Sequence, residues 1–463
     1  MTNTVYIALG GNIGDRPAFI HAALDALNAY VSVEETSHLY ETQPMHVTDQ
    51  PLFLNAVCRG ATRLTPADLL RAVKRTEDEL GRTKTIRYGP RNVDLDILFY
   101  NDAVVDSPSL TIPHIRIPER DFVLAPLLDL EPDLRHPRLD LTVRQLWDRL
   151  EMPMPPRVMP LGESIWHWSQ AARVMAILNM TPDSFSGDGL GGAPDPVFAA
   201  CTLARQFAAD GADVIDVGGY STRPGHADIP VEEEISRVAP VISALRNELD
   251  LPFSIDTFRV EVAEAALDAG AVWLNDVSGF RAVGNPREGP LQPLPAMAAL
   301  AASRRVPLVL MDNRAPLHVD SRERSAQNEA SSADIVSHVR MQLNRALDQA
   351  RRAGVARWHR VIDPGIGFGK SVSQHLALIR RLEELTDLGY PLLFGASRKG
   401  FLGKLAAGAP VGERLAATIA ANVLAVERGA RIVRVHDVRE NVQALRVASA
   451  ILADKSKPAL PLS

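Results

Sequence analysis

The strongest chemical signal in the chain is the run Arg91-Asn92-Val93-Asp94-Leu95-Asp96. Side chains two apart on a strand share a face, so Asp94 and Asp96 point one way while Val93, Leu95 and Ile97 point to a core. Adjacent carboxylates repel unless a cation lies between them. Hard, oxygen-seeking Mg2+ is the natural guest, bridging to the phosphates of a substrate. The plainer alternative is a solvated strand face. Basic neighbours argue against it: Arg82, Lys84, Arg87 and Arg91 precede the pair, and His114, Arg116 and Arg120 follow it. A carboxylate pair flanked by cations suits a nucleoside triphosphate with bound Mg2+. GGNIGD at 10–15 matches neither the dinucleotide nor the P-loop glycine pattern, so it reads as a turn. Phosphate binding then rests on side chains.

A second set of reactive residues lies far downstream. Asp363 opens DPGIGFGK (363–370), but Pro364 stands where a P-loop needs glycine. The alternating glycines instead mark a tight loop that a ligand can approach closely. SRK at 397–399 and Arg434-Val435-His436 add cations; Arg434 and His436 share a strand face and together could hold an anion. Each cation alone reads as ordinary surface charge. Their convergence at strand ends is what argues for a site.

Those strand ends belong to a regular series. VMAILN (174–179), DVIDVG (213–218), PFSID (252–256), AVWLND (271–276), VPLVLM (306–311), RVIDPG (360–365), PLLFGAS (391–397) and RIVRVHD (431–437) are short apolar runs. Helical patterns separate most of them, as in Val231–Leu249, where Ile235, Val238, Ile242 and Leu245 form one stripe behind Glu232–Glu234. Eight strands alternating with helices make a (β/α)8 TIM barrel, with a doubly wound open sheet as the alternative. Asn179, Asp216, Asp256, Asn275, Asp363, Ser397 and His436 all close predicted strands, which favours the barrel, whose active sites form there.

Upstream the grammar differs. TVYIALGG, SHLYET, LFLNAVCRGAT and NVDLDILFY read as strands, with helices at Ala18–Tyr30 and from Thr65-Pro66 to Leu80. This β-α-β-β-α-β order predicts an α+β sandwich of the ferredoxin-like type. In EMPMPPRVMP (151–160), Pro153, Pro155, Pro156 and Pro160 disfavour helix and suggest an extended spacer. The expected divisions are a first domain over 1–155, a linker over 156–172 and a barrel over 173–456.

Composition narrows the function classes. The 463 residues carry a net charge of −6 and are 46% hydrophobic, which excludes disordered and collagen-like chains and gives no general basic surface for nucleic acid. Two cysteines, Cys58 and Cys201, are too few for a disulfide framework or a zinc site and read as buried thiols. No run approaches the ~20 apolar residues of a membrane span; Leu415–Val426 is apolar but contains Asn422. The opening residues lack a basic signal-peptide segment, so a reducing cytoplasm is expected.

ALGGNIGD, YETQP, DQPLFLNAV, GRTKTIRYGPRNVDLDIL and IPHIRIPERDFVLAPL, in this order, resemble hydroxymethyldihydropterin pyrophosphokinase over about residues 3–150. The resemblance implies transfer of the β,γ-pyrophosphoryl group of ATP to 6-hydroxymethyl-7,8-dihydropterin. It implies two Mg2+ ions on Asp94 and Asp96, and ATP on Glu77, Arg82, Lys84, Arg91, Thr111, His114 and Arg120, with Arg82, Arg91 and Asp96 catalytic. Phe53 and Phe122 would sandwich the pterin, and Thr42 and Asn55 would read its polar edge. Without the resemblance both phenylalanines would read as core. Tyr88 stands where the family often has Trp.

MAILNMTPDSFS, DVIDVGGYSTRPG, SIDT, WLNDVSG, IDPGIGFGK, GASRKG and RIVRVHDV likewise resemble dihydropteroate synthase over about residues 173–450. That implies displacement of pyrophosphate from the pterin methylene by the amine of p-aminobenzoate. Asn179 would meet pyrophosphate and one Mg2+; Thr222, Asp256, Asn275, Asp363, Lys399, Arg434 and His436 would hold pterin and pyrophosphate, with Asp363 and Lys399 catalytic. Phe185, Thr222, Arg223 and Ser397 would frame the aminobenzoate pocket. Departures from the family pattern are Tyr220 for Glu, Asp312-Asn313 for His-Met, and Gly187-Asp188-Gly189 for Asp-Gly-Gly. Alternatives are a barrel acting as a methyltransferase, and an inactive pterin-binding module beside an active kinase. The family barrel is commonly a dimer, and Leu415–Val426 would serve that contact or face its own barrel.

Overall fold

Apolar residues two apart set the first sheet. In β1 (Asn3–Gly11), Val5, Ile7 and Leu9 enter one core layer and Tyr6 the other. The computed structural model describes residues 2–45, 47–82, 89–181, 189–220, 228–278, 295–313 and 334–452. The chain divides into two compact units, Met1–Ser169 with Ala356–Trp358, and Gln170–Val355 with His359–Ser463.

In the first unit β1 is followed by α1 (Arg16–Leu27), β2 (Ser32–Thr36), β3 (Leu39–Thr42), β4 (Phe53–Thr62), α2 (Pro66–Glu79) and β5 (Asp94–Tyr100). Helices α3 (Asp121–Leu130) and α4 (Val143–Leu150) come next, then β6 (Arg157–Leu161) and β7 (Ser164–His167). The antiparallel sheet runs β7-β6-β3-β4-β1-β5, with β2 also on β4. Strands β1, β3, β4 and β5 with α1 and α2 are the expected β-α-β-β-α-β core; β2 is an added strand. Thr65 caps α2 by accepting from Asp68 N at 3.2 Å, with Pro66 in the first turn. Helices α1 and α2 cover the Ile7 and Leu9 face, whereas α3 and α4 cover the face of Tyr6, Val57 and Leu98.

The expected spacer over 156–172 requires correction, because most of it is the β6–β7 hairpin. Arg157 explains why. It pairs with Tyr40 in register, and its guanidinium meets Asp129 Oδ1 of α3 at 2.7 Å and Tyr40 Oη at 3.1 Å. Trp166 of β7 and Trp168 just after it are buried. Strand β3 reaches only Arg157 and Val158, so Pro160 lies beyond the end of that ladder, where its missing N–H is harmless.

The second unit has eight parallel strands: β8 (Arg173–Asn179), β9 (Val214–Gly218), β10 (Phe253–Asp256), β11 (Trp273–Asp276), β12 (Leu308–Met311), β13 (Arg360–Asp363), β14 (Leu393–Phe394) and β15 (Ile432–Val435). Their order is β13-β12-β11-β10-β9-β8-β15-β14, and a parallel bridge between Ile362 and Leu392 joins the two ends into a nearly closed barrel. The open doubly wound sheet is thereby excluded. Helices α5 (Pro196–Ala209), α6 (Val231–Leu245), α7 (Val260–Ala269), α8 (Pro295–Arg304), α9 (Ile335–Arg352), α10 (Val372–Arg380), α11 (Gly400–Leu405), α12 (Leu415–Glu427) and α13 (Val438–Leu452) alternate with the strands.

Ile215, Val217, Ile255, Leu274, Leu310, Ile362, Val433 and Val435 belong to one core with the helices. The alternate set faces inward and changes character along the axis. Met175, Trp273, Val361 and Ile432 fill it low down; Asp216, Asp256, Asn275, Asp363 and Arg434 occupy strand positions nearer the C-terminal ends. Leu415–Val426 falls within α12, which buries Thr418, Ala421, Asn422 and Ala425; Asn422 donates to Asn441 of α13 at 2.8 Å. Among the described residues no helix is long and apolar enough to cross a membrane.

Gly365, just after β13, has φ +67°, and a Cβ there would overlap the Asp312 carbonyl oxygen. Gly365→Ala therefore adds left-handed strain to a collision with rigid backbone. It should lower the barrel's stability by about 2–4 kcal/mol, read as a reduced urea midpoint at unchanged slope.

Candidate active sites

Strand register assembles the first site. Asp96 lies opposite Ala8, and Asp94 opposite Gly10. Gly10 in turn lies opposite Asn55, which lies opposite Tyr40, while Phe53 lies opposite Thr42. Directly paired residues share a face, so the carboxylates, Asn55, Phe53 and Thr42 stand on the side that carries α3. Glycine at position 10 leaves room for Asn55: a Cβ would come within 2.8 Å of Asn55 Oδ1 and displace that side chain. Asn55 Nδ2 donates to Thr42 Oγ1 at 2.8 Å.

Cations surround the carboxylates. Arg82 Nη2 lies 2.7 Å from Asp94 Oδ1, and Arg91 Nη1 lies 2.6 Å from Asp94 Oδ2. Arg120 Nη1 and His114 Nε2 approach Asp96 Oδ2 at 3.3 and 3.9 Å. Burial, then the charge of Asp96, holds Asp94 above the usual carboxylate range despite Arg91 and Arg82. Burial lowers His114 against the opposing pull of Asp96. Arg91 lies 5.8 Å from the centre of the Phe53 ring, and Arg120 lies 5.4 Å from that of Phe122, so both half-buried rings border the cationic cluster.

Two expected ligands stand differently. Glu77 is buried, accepts Leu95 N at 2.8 Å and pairs with Arg82 and Lys74, so it organises the cluster from beneath. Thr111 sits in the short ladder of Val105–Asp106 with Thr111–Ile112, opposite Asp106. Lys84 and Tyr88 lie outside the described residues.

Sequence reasoning missed Asn12, which it left in a plain turn. This buried side chain donates to Gln50 Oε1 (3.1 Å) and the Pro51 carbonyl (3.0 Å), and accepts from Arg91 N (2.9 Å). Its own amide donates to the Arg91 carbonyl at 2.9 Å. One carboxamide thus ties the approach to Phe53 to the segment carrying Arg91. The only available signal was an amide residue directly after two glycines ending a strand.

At the barrel rim, Arg434 bridges two acids: Nε donates to Asp216 Oδ2 at 2.6 Å and Nη2 to Asp256 Oδ2 at 2.5 Å. Asn275 Nδ2 donates to the same Asp216 oxygen at 2.9 Å. A Cβ at Gly218 would lie 3.8 Å from both Asn179 Oδ1 and Asp256 Oδ2, which places those side chains around one point. Asp363 Oδ1 accepts Gly365 N at 2.6 Å, and Lys399 Nζ lies 4.3 Å from the centre of the Phe368 ring. A Cβ at Gly367 would strike Lys399 Cδ at 2.6 Å, so that glycine leaves the lysine its path. Burial raises Asp363 to about 6 and, aided by Arg434, lowers Lys399 to about 8. Burial also raises Asp256, against the attraction of Arg434.

Ser397 Oγ and His436 Nδ1 share a hydrogen bond of 2.9 Å. Beside it Arg398, at φ +57°, grips Asp437 through Nε and Nη2 at 3.1 and 2.5 Å. Arg398 is one of the cations of SRK, but its charge is engaged in joining the loops after β14 and β15. Lys370 behaves similarly: Nζ reaches Asp312 Oδ2 at 3.0 Å and donates to the carbonyls of Asp312 and Gly365 at 2.8 and 2.9 Å. It braces the glycine loop, using one of the unusual residues. Asn313 donates to the Val277 carbonyl at 2.7 Å. Tyr220 packs edge-on to Phe258 at 5.2 Å beneath Arg259, which pairs with Glu234 at 3.0 Å and Asp228 at 2.7 Å. Phe185, Thr222, Arg223 and the Gly187-Asp188 pair lie outside the described residues.

A carboxylate pair among arginines lies on one unit, and an acid-and-cation rim lies at the C-terminal end of a barrel on the other, a distribution of charge that fits an enzyme. The model of 7,8-dihydro-6-hydroxymethylpterin-pyrophosphokinase matches residues 6–132, and that of pterin binding enzymes matches 175–436. A folate synthesis bifunctional protein of Arabidopsis thaliana is 39% identical over 98% of this chain and 97% of its own length. The folic acid synthesis protein of Pneumocystis carinii is 39% identical over 96% of this chain, which spans 60% of that longer protein. The dihydropteroate synthase of Xanthomonas albilineans, solved with 4-aminobenzoic acid, covers 64% of this chain and 98% of its own at 38% identity and a TM-score of 0.55. The chain therefore belongs to the bifunctional folate-synthesis family, with a hydroxymethyldihydropterin pyrophosphokinase unit followed by a dihydropteroate synthase barrel. The methyltransferase and inactive-barrel alternatives are not favoured by these likenesses.

Asn12→Ala should leave the fold intact yet lower pyrophosphokinase kcat/KM about 10- to 100-fold, because misplaced phosphate-binding groups lose preorganisation. Dihydropteroate formation from supplied pterin pyrophosphate should be unchanged in the same preparation.

Proposed function

We propose that the hydroxymethyl oxygen of the dihydropterin attacks the β-phosphorus of ATP at the first site. The bond from that phosphorus to the α,β-bridging oxygen breaks, AMP leaves, and the hydroxyl proton passes to solvent. Arg82, Arg91, Arg120 and His114 bind and orient the triphosphate, with Lys84 and Thr111 as expected further contacts. The dihydropterin lies between Phe53 and Phe122, its polar edge met by Asn55 and Thr42. The Asp94–Asp96 pair fits Mg2+: two oxygen donors share a face, and each raises the need for a cation between them. Among the described residues no cluster of three or more His, Cys, Asp or Glu could hold a metal, so phosphates and water would complete the coordination. When bound, Mg2+ neutralises charge on the β- and γ-phosphates.

In the barrel, we propose that the aminobenzoate nitrogen attacks the pterin methylene carbon, the carbon–oxygen bond to pyrophosphate breaks, and the amine gives its proton to solvent. Asp256, Asn275, Asp363 and Lys399 seat the pterin, with ionised Asp363 offsetting positive charge that grows on the ring. Arg434, His436 and Asn179 receive pyrophosphate, and Asn179 offers an amide oxygen to an ion carried with it. Phe185, Thr222, Arg223 and Ser397 would border the aminobenzoate. Two free, buried cysteines suit a reducing compartment, the cytoplasm in our reading.

The observation that carries this reading is that each unit holds its own cluster of carboxylates and cations, built from its own residues. Asp96→Ala should lower ATP-dependent pyrophosphorylation, followed as AMP release, by about 10²–10³-fold while sparing dihydropteroate synthesis from supplied pterin pyrophosphate. Lys399→Ala should do the reverse. Loss of both reactions in either variant would contradict the reading.

The barrel reaction should have a bell-shaped pH profile. With Asp363 raised to about 6, kcat/KM should climb as that carboxyl ionises; with Lys399 lowered to about 8, it should fall as the ammonium loses its proton. Lys399→Arg keeps the charge to far higher pH, so the alkaline limb should move to roughly pH 9 or above. An unmoved limb would remove Lys399 from that role.

A further inference from the structure

Asp216 is fully buried, yet the polar pattern around it is incomplete. It is the third residue of β9, flanked by Ile215 and Val217, which turn outward into the helical core. Its Oδ2 accepts both Arg434 Nε and Asn275 Nδ2, while Oδ1 is buried with no hydrogen-bond partner. A buried carboxylate is tolerated only with close compensation, and here Arg434 supplies the charge. The same guanidinium spends its outer nitrogen Nη2 on Asp256, whose side chain is one-fifth exposed toward the rim.

The two acids differ in what can reach them. Asp216 has no exposure, so no incoming group replaces Arg434 there without dismantling the barrel interior. Asp256 is accessible, and it is a carboxylate that the amino and ring N–H groups of a pterin would seek. Arg434 and the heterocycle therefore compete for one carboxylate. A guanidinium shared by two acids also has little charge left for an anion.

We propose that Asp216 is a positioning residue, the fixed anchor of a two-position Arg434. With the pterin pocket empty, the guanidinium spans Asp216 and Asp256. A heterocycle that takes Asp256 frees the outer nitrogens toward pyrophosphate while Nε stays on Asp216. Ring recognition and anion recognition are thus coupled through one side chain, and a free polyphosphate without a pterin meets a neutralised cation. This rests on the reaction assigned to the barrel above.

The test is calorimetric. Inorganic pyrophosphate is titrated into the full chain at one fixed Mg2+ concentration, with and without saturating 6-hydroxymethylpterin. In the unmodified protein the pterin should tighten pyrophosphate binding about tenfold, a coupling of ordinary allosteric size. In Asp216→Asn the pterin should still bind, but its effect on pyrophosphate should fall within about twofold of none. A general structural defect would weaken both ligands and leave their ratio alone. Coupling absent from the unmodified protein overturns the proposal even if the variant fails to fold, as does coupling that persists in the variant. Dihydropteroate formation from supplied pterin pyrophosphate is measured in parallel. Its presence without coupling overturns the anchor alone; its absence overturns the assigned reaction as well.

Discussion

Carboxylates crowded together in a partly buried place must find positive charge, and both sites are arranged around that necessity. At the first, Asp94 and Asp96 share a strand face because side chains two apart must, and Arg82, Arg91 and Arg120 converge on them. At the second, Asp216 and Asp256 come from neighbouring strands, and one arginine lies across both. In neither place are the arginines simply waiting for phosphate. They balance protein charge first, and on the proposed reading the substrate's phosphates would enter a network that is already neutral or nearly so. Binding is then an exchange of ion-pair partners, which is cheaper than uncovering a bare charge in a low-dielectric site.

The supports beneath these pairs matter as much as the pairs themselves. Glu77 holds Arg82 from below and fixes the Leu95 amide, so the arginine is aimed before any ligand arrives. Arg398 and Asp437 do the same for the barrel, locking together the two loops that also share the Ser397–His436 hydrogen bond. Arg398 adopts a left-handed backbone that an arginine rarely takes. Its bidentate grip on Asp437 supplies the compensation such a conformation needs. The adjacent Lys399 is thereby set on a rigid corner instead of a free loop, as a half-buried lysine of lowered proton affinity requires.

Much of this was legible in the primary structure. The eight barrel strands read as short apolar runs with polar residues at their ends, and the paired carboxylates of β5 follow from period-two alternation. Three things were not legible, each for a physical reason. The β6–β7 hairpin was hidden by a proline cluster, because its stability comes from Arg157 meeting Asp129 and Tyr40 far away in sequence. Asn12 looked like turn chemistry, because its partners Gln50, Pro51 and Arg91 are brought near only by tertiary structure. Arg398 reads as one more cation of SRK, because sequence shows a charge but not whether a neighbour has already neutralised it.

The unusual residues of the barrel illustrate the same point in reverse. Tyr220 stands where an acid is usual, yet negative charge is not missing from its surroundings: Glu234 and Asp228 both pair with Arg259, and the tyrosine ring lies against that guanidinium. Asp312 replaces a histidine but meets buried Lys370, so the exchange adds an ion pair beneath the glycine loop. A departure from a family motif is best judged by the charge and hydrogen bonds of the whole neighbourhood, because compensation is a property of the pocket and not of the position. On that criterion neither substitution leaves an unbalanced group at the rim, and the acids and cations assigned to pterin and pyrophosphate keep the partners that orient them.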